Sequence, residues 1–219
     1  MKSLKDFFIR PPFLKRMILM LAGVIIMGIC VAFLDLTDFG TDPYSAMNLG
    51  LAKITPISFG TWELLLNSIL LIVVLFFDKS KLGFGTLGNM VIVGYTKDFV
   101  SFLLRRFFGL ETIESLFWRI TVMLIAVIIF VFAVALYVNA GLGGSAYDAL
   151  PYVICDGINK KHSVHFRIVR IVFDLVFTAI AFAIKGEAGI ITVIMVFTLG
   201  PVIEYVSKLL SGVLKIDGQ

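Results

Sequence analysis

The chain has 219 residues, of which 59% are hydrophobic and only 16% are charged, and its mean hydropathy is +1.02. A water-soluble fold of this size cannot bury so much apolar surface, so the composition excludes a soluble protein and indicates a multi-pass membrane protein. The net charge of +4 does not indicate nucleic-acid binding, because the basic residues lie beside apolar segments, where membrane topology places them.

The apolar segments predict an all-α transmembrane fold with six spans. Residues 1–16 form a basic cytoplasmic lead-in, in which Pro11 and Pro12 stop any helix from continuing unbroken into the membrane. Residues 104–118 mix aromatic and charged side chains, which predicts an interfacial helix that links two halves, 17–103 and 119–210, and residues 211–219 form a tail. The predicted spans are 17–36, 59–77, 82–103, 120–138, 164–184 and 188–210.

Two related glycine motifs, Gly40–Ala46 and Gly143–Ala149, follow the first span of each half. Asp42 and Ser145 are suited to cap a helix and Pro43 to its first turn, so short helices are predicted at 44–54 and 147–158. These helices are too short to span a bilayer, and short helices in equivalent places of two halves are typical of transporter binding sites. The candidate ligand-binding residues are Gly40, Asp42, Pro43, Tyr44, Ser45, Gly143, Ser145, Tyr147 and Asp148.

The spacing of the motifs predicts an internal duplication. The two glycine motifs are offset by 103 residues, and three further pairs share an offset of 106: Thr86 with Thr192, Gly94 with Gly200, and Asp98 with Glu204. Each half has three spans, an odd number, so the second copy is predicted to be inverted. With the N-terminus inside, 13 of the 19 Lys and Arg lie on inner segments, which predicts cytoplasmic N- and C-termini, with the Arg105–Arg106 pair as the main exception.

The motifs also resemble a known family. The first half has Gly40, Pro43 and Tyr44, then Ser58–Trp62 (Ser-Phe-Gly-Thr-Trp) and Gly83–Thr86; the second keeps Gly143, Asp148, Ser163-Val164 and Gly200-Pro201. Over most of residues 20–205 this resembles the YczE-like (YczE/YyaS/YitT) group of bacterial integral membrane proteins. Ser45 stands where that group usually has an acid, and Ala146 replaces a proline. An acid in the first motif is therefore not essential here unless Asp42 substitutes for it. The resemblance implies a bacterial inner-membrane protein, with transport among its possible roles, and no substrate.

Charged residues within the spans are candidates for ion coupling. Asp174 lies about ten residues into the fifth span, where an acid costs about 2.5–3.5 kcal/mol on insertion scales, and Arg170 lies four residues earlier on the same helix face. The pair is either a coupling carboxylate held by an arginine or a structural ion pair. Asp98 and Glu204 are either coupling acids or side chains that reach interfacial water. Glu63, beside the predicted interface residue Trp62, is expected to be interfacial.

No cofactor and no metal are predicted. Gly83–Gly88 has the glycine spacing of a dinucleotide-binding motif, but it opens a membrane helix and no strand precedes it. Gly141–Ser145 lacks the lysine of a P-loop. His162, His165 and Cys155 lie near one another in sequence, but the loop is short and basic, which favours a solvated loop over a metal site.

The leading functional prediction is a small-solute secondary transporter or exporter of the bacterial inner membrane, which is not an enzyme. Its partners are the lipid bilayer and an unidentified small molecule, with no nucleic acid, and the short-helix N-termini suit an anionic or carbonyl-bearing solute. The alternative is a non-transporting membrane protein that supports a partner enzyme or assembly; an intramembrane enzyme ranks third, because no nucleophile–base pair is evident. A polar cavity lined by both glycine motifs would favour transport, and a sealed apolar interior would favour the alternative.

Overall fold

The computed structural model describes residues 13–160 and 163–214, without the side chains of 213 and 214. Within these ranges the secondary structure is helical and contains no strand, which confirms the all-α prediction. The first twelve residues of the basic lead-in, His162 of the basic loop and residues 215–219 of the tail lie outside the described residues.

The helices follow the predicted segments closely. Two short pieces interrupt the series, a 3₁₀ turn at Lys79–Lys81 and a π-helical segment at Asn89–Val93. The helices are α1 (Phe13–Thr37), α2 (Pro43–Ile54), α3 (Phe59–Phe77), α4 (Phe84–Gly88), α5 (Gly94–Phe108), α6 (Leu116–Asn139), α7 (Ala146–Asn159), α8 (Phe166–Ala183) and α9 (Ile190–Leu214).

Four helical stretches in the described part of the chain are long and apolar enough to cross a membrane: Phe13–Thr37, Phe59–Phe77, Leu116–Asn139 and Ile190–Gly212. The third predicted span forms a continuous helical run from α4 to α5, but the π-helical segment divides it. The fifth predicted span, α8, has 18 residues and carries Arg167, Arg170 and Asp174. Large apolar side chains such as Phe76, which is 84% exposed, cover the outer surface, as lipid contact requires.

The segment between the halves differs from the interfacial helix predicted for residues 104–118. Helix α5 continues to Phe108 and ends at Gly109, whose φ of +63° is the left-handed conformation that favours glycine after a helix. Arg105 and Arg106 occupy the last turn of α5, where the helix dipole favours cations. Residues 109–115 are irregular, and α6 already begins at Leu116.

The centre of the fold is the pairing of α1 with α6. Gly23 of α1 allows a close approach, because a Cβ at this position would lie 2.8 Å from the backbone oxygen of Ala133 and 2.9 Å from the Cβ of Tyr137 on α6. Around this crossing, Val24, Val31 and Leu34 of α1 are fully buried. Helix α5 packs on another side of α1, and α9 packs on α6.

The two short helices are exchanged between the halves of the chain. Helix α2 packs chiefly on α8, and α7 packs on α3. Each loop that leads into a short helix turns at a glycine with positive φ, +100° at Gly40 and +101° at Gly143. The carbonyl before each glycine accepts a hydrogen bond from a helix start in the other half: Phe39 O from Ile191 N at 3.1 Å, and Leu142 O from Gly85 N at 2.8 Å.

Candidate functional site

The short helices begin where their capping residues predict. Asp42 Oδ1 accepts a hydrogen bond from Ser45 N at 3.1 Å, and Pro43 occupies the first turn of α2. Ser145 Oγ accepts one from Asp148 N at 3.0 Å at the start of α7 and lies 2.6 Å from Asp148 Oδ2. Both predicted caps are confirmed, and each satisfies one of the free N–H groups at its helix start.

The first turns of the two short helices meet through a pair of tyrosines. The rings of Tyr44 and Tyr147 stack with centroids 4.6 Å apart and an interplanar angle of 30°. Both side chains are buried, and their hydroxyls donate hydrogen bonds to different groups. Tyr44 bonds to the backbone oxygen of Glu63 at 3.4 Å, and Tyr147 bonds to Asp174 Oδ1 at 2.5 Å.

A cavity of about 70 Å³ lies beside this tyrosine stack. This volume admits a few water molecules or a solute of a few heavy atoms. Apolar side chains of α1, α6 and α9 and Val93 of the π-helical segment form part of its wall. The polar lining comes from both halves of the chain and consists of Asp42, Tyr44, Ser45, Glu63, Asn89, Ser145, Tyr147, Asp148 and Arg170.

On one side of the cavity, Arg170 bridges two carboxylates. Its Nη1 lies 2.7 Å from Asp148 Oδ1 on α7, and its Nε lies 3.0 Å from Asp174 Oδ2 on its own helix. Its guanidinium also lies over the Tyr147 ring, 5.1 Å from the centroid. Four residues that the sequence singled out, Tyr147, Asp148, Arg170 and Asp174, therefore form one hydrogen-bonded ionic cluster.

The other side of the cavity contains an acid that sequence reasoning placed wrongly. Glu63 is not interfacial, since it is only 3% exposed and lines the cavity. The reason is that α3 is held on three sides by α2, α5 and α7, which turn this face of its first two turns inward. The predicted repeat gives a signal, because α3 and α8 begin 107 residues apart, at Phe59 and Phe166, and in that register Glu63 corresponds to Arg170.

Several polar atoms of α2, of its cap and of α3 are buried without a hydrogen-bond partner in the described structure. They are Glu63 Oε2, Asp42 Oδ2, Asn48 Oδ1 and both amide atoms of Asn67. Asn48 and Asn67 are fully buried. Among the residues that line the cavity, the unpartnered atoms are thus Glu63 Oε2 and Asp42 Oδ2, both from the first half.

The remaining predicted residues lie outside the cavity lining. Asp98 Oδ2 accepts a hydrogen bond from Gly60 N at 2.8 Å and so satisfies a free N–H at the start of α3. Glu204 is exposed and pairs with Lys208 at 2.6 Å. Gly40 and Gly143 shape the loops, and Pro43 is buried behind the cap. Among the described residues no three His, Cys, Asp or Glu side chains are grouped to hold a metal ion.

A model of a family of unknown function, DUF6198, matches residues 14–208. An uncharacterized protein of Haemophilus influenzae is 26% identical over 196 residues, which cover 87% of this chain and 83% of that protein. The uncharacterized membrane protein YczE of Bacillus subtilis is 24% identical over 185 residues, 84% of this chain and 81% of YczE. YyaS of the same organism is 26% identical over 174 residues, 80% of this chain and 83% of YyaS. No solved structure matches, and the resemblance to the YczE-like group is confirmed.

Proposed function

The chain belongs to DUF6198, a family of unknown function, and we propose that this membrane protein is a small-solute secondary transporter or exporter of the bacterial inner membrane and not an enzyme. The observation that carries the proposal is the polar cavity lined by Asp42, Tyr44 and Ser45 at one short helix and by Ser145, Tyr147 and Asp148 at the other. A sealed apolar interior would suit a purely supporting protein. Sites at the junction of two halves, at the N-termini of short helices, are characteristic of secondary transporters.

We further propose six spans, because the two additional segments have the required length. The helical run from Phe84 to Phe108 has 25 residues, which at about 1.5 Å per residue gives about 37 Å. Helix α8 has 18 residues, or about 27 Å, close to the thickness of the hydrocarbon core. Two of its charges, Arg170 and Asp174, are paired with each other, which lowers the cost of placing them in a membrane.

The two halves repeat the same local structure, which supports an inverted duplication. Beyond the two exchanged short helices and the two positive-φ glycines, a threonine holds the start of a helix in each half. Gly83 N donates to Thr86 Oγ1 at 3.0 Å, and Gly189 N donates to Thr192 Oγ1 at 3.1 Å. These four residues keep the offset of 106 that the sequence motifs show.

Contacts between distant segments support a topology with both termini in the cytoplasm. In that topology Lys53 and Glu187 both lie on the outer face, and they form an ion pair. Lys81 and Tyr152 both lie on the inner face, and the Lys81 ammonium is 5.3 Å from the centroid of the Tyr152 ring. Because segments assigned to the same face contact each other, the charge rule and the packing agree.

The charges of the cavity favour a cationic solute, or one rich in hydrogen-bond donors, over the anionic solute expected from the helix N-termini. Three carboxylates, of Asp42, Glu63 and Asp148, line the cavity with one guanidinium, that of Arg170. The N–H groups that would bind an anion are partly used, since those of Ser45 and Asp148 already bond to the caps. Alternating access would rock one half against the other about the Tyr44–Tyr147 stack and open the cavity to each face in turn.

The test is a thermal-stability screen of the purified protein against cationic, zwitterionic and anionic metabolites. A solute bound in the cavity raises the unfolding temperature, and Asp148→Asn should weaken that rise. Asp156→Asn is the matched control, because Asp156 lies on the same helix but is exposed and outside the cavity lining. Each stabilising solute is then tested for gradient-driven uptake in proteoliposomes. Stabilisation by anions alone would refute the solute class, and the absence of uptake for every stabilising solute would refute transport.

A further inference from the structure

The first-half side of the cavity contains a buried carboxyl group with no basic partner. Glu63 is 3% exposed, lines the cavity, and leaves its Oε2 without a hydrogen bond in the described structure. The charged side chains that act on its carboxylate are Asp42 and Asp98, and both are acidic. Isolated buried charges are strongly disfavoured, so this side of the cavity requires a compensating positive charge.

Comparison with the other side of the cavity shows what is missing. The residue that matches Glu63 at the offset of 107 is Arg170, and the residue that matches Asn67 is Asp174. In the second half the single guanidinium of Arg170 pairs with both Asp148 and Asp174, so the three ionised groups together carry a net charge of −1. In the first half the carboxylates of Asp42 and Glu63 have no such group, so one positive charge is absent from an otherwise equivalent place.

Four of the five unsatisfied atoms of α2, its cap and α3 are oxygens, and the fifth is the amide nitrogen of Asn67. Glu63 Oε2 and Asp42 Oδ2 are both buried and unpartnered, and both residues line the cavity. The side-chain oxygens of Asn48 and Asn67, on α2 and α3, are also buried and unpartnered. Carboxylate and carbonyl oxygens bind hard cations and accept protons, whereas they repel anions.

We propose that Asp42 and Glu63 together bind one exchangeable monovalent cation, a proton or a sodium ion, which is the coupling ion of the transporter. This assignment rests on the proposed transport function. The Tyr44 hydroxyl bonds to the backbone oxygen of Glu63, and Asp42 and Asp98 act electrostatically on its carboxyl group.

Two cations of the surrounding helices already have carboxylate partners: Lys97 of α5 pairs with Asp35, and Arg170 of α8 pairs with Asp148 and Asp174. The Asp148 carboxylate, which bonds to Arg170 and Ser145, is the cavity carboxylate that remains for the solute.

The position of this site explains how a cation and a solute are coupled. Asp42 and Glu63 line the same cavity as Tyr147 and Asp148, so the cation enters and leaves through the space that the solute occupies. Asp174 is poorly placed for this role, because it does not line the cavity and its two oxygens are already held by Arg170 and the Tyr147 hydroxyl. The geometry therefore favours the structural interpretation of the Arg170–Asp174 pair.

The experiment measures cation occupancy directly, in the purified full-length protein without added solute. The unfolding temperature is recorded while sodium chloride replaces choline chloride at constant ionic strength, and infrared difference spectra between light and heavy water detect a buried protonated carboxyl. If sodium is the occupant, the unfolding temperature rises with sodium concentration. If the proton is the occupant, sodium has no effect and a protonated-carboxyl band is present.

Two glutamate variants show which carboxyl group produces the sodium effect or the carboxyl band. Glu63→Gln should abolish the carboxyl band, or weaken sodium binding at least tenfold, while the protein remains folded because a neutral amide needs no counter-ion. Glu187→Gln is the matched control, since Glu187 is 8% exposed but already paired with Lys53, and it should leave the signal unchanged. If Glu63→Gln does not fold, Asp42→Asn takes its place with the same expected loss.

The inference is overturned if the wild-type protein shows neither a sodium effect nor a protonated carboxyl. It is equally overturned if either signal persists unchanged in Glu63→Gln. Because occupancy is measured without a transported solute, this outcome is independent of the uptake assay that tests transport.

Discussion

Removal of the Arg170 guanidinium should destabilise the protein more than removal of either of its carboxylate partners. In Arg170→Met the Asp174 side chain, which is 4% exposed, keeps only its hydrogen bond from the Tyr147 hydroxyl. An unpaired buried charge of this kind costs about 3–5 kcal/mol of stability. Asp174→Asn keeps an acceptor for Tyr147, and Arg170 keeps Asp148, so the expected cost is about 1.5–3 kcal/mol. Asp148→Asn affects a side chain that is 40% exposed, and its cost should not exceed about 1 kcal/mol.

The double change Arg170→Met with Asp174→Asn should recover most of the lost stability, because it removes both charges and retains the hydrogen bond to Tyr147. The free energy of unfolding is measured by denaturant titration in mixed micelles, with the fluorescence of Trp62 and Trp118 as the signal. Lys208→Met is the control, since its partner Glu204 is 68% exposed and the pair should contribute little.

The reasoning is refuted if Arg170→Met is no more destabilising than Lys208→Met, or if the double variant is less stable than Arg170→Met alone. The double variant also separates the two roles of the pair. Gradient-driven uptake at the wild-type rate would remove Asp174 from the coupling mechanism, as the assignment of the cation to Asp42 and Glu63 requires. Loss of uptake in a double variant that still folds would show that Arg170 and Asp174 take part in coupling.

Three further outcomes follow from the same structure. Single cysteines at Ile54 and Ile158, in a background without the native cysteines, should be labelled from opposite faces of the membrane; labelling of both from one face would contradict the inverted repeat. Gly143→Ala should lower stability by at least about 1–3 kcal/mol, because φ is +101°, and a Cβ there meets the Gly83 backbone. Gly144→Ala, where a Cβ meets nothing within 4 Å, is its control, and equal costs would refute the loop argument. Tyr147→Phe should destabilise the protein by about 1–3 kcal/mol by leaving a buried Asp174 oxygen without its donor, measured by the same titration; an unchanged stability would contradict that bond.

The sequence predicted the helices well because their boundaries depend on local chemistry. A cap such as Asp42 or Ser145 bonds to an N–H group three residues away, and an apolar run between such caps forms a helix in lipid whatever its neighbours are. The composition likewise determined that the chain is a membrane protein, and the two glycine motifs led to the family. The interfacial helix expected at 104–118 is not observed. A helix end followed by an irregular loop has the same mixture of aromatic and charged residues as an interfacial helix, so composition did not distinguish them.

The two glycine motifs pointed to six of the nine polar residues that line the cavity, but only the tertiary structure added Glu63, Asn89 and Arg170 to them. Glu63 and Asp98 both lie near helix ends in the sequence, yet packing of α3 against three other helices buries Glu63 at the cavity, while Asp98 is used to satisfy the N–H of Gly60. The exchange of the short helices between the halves, which brings Tyr44 against Tyr147 across about a hundred residues of chain, depends on long-range packing. Local spacing can place a residue on a helix face, but which helix that face meets is determined by contacts between segments distant in sequence, and these have no local signal.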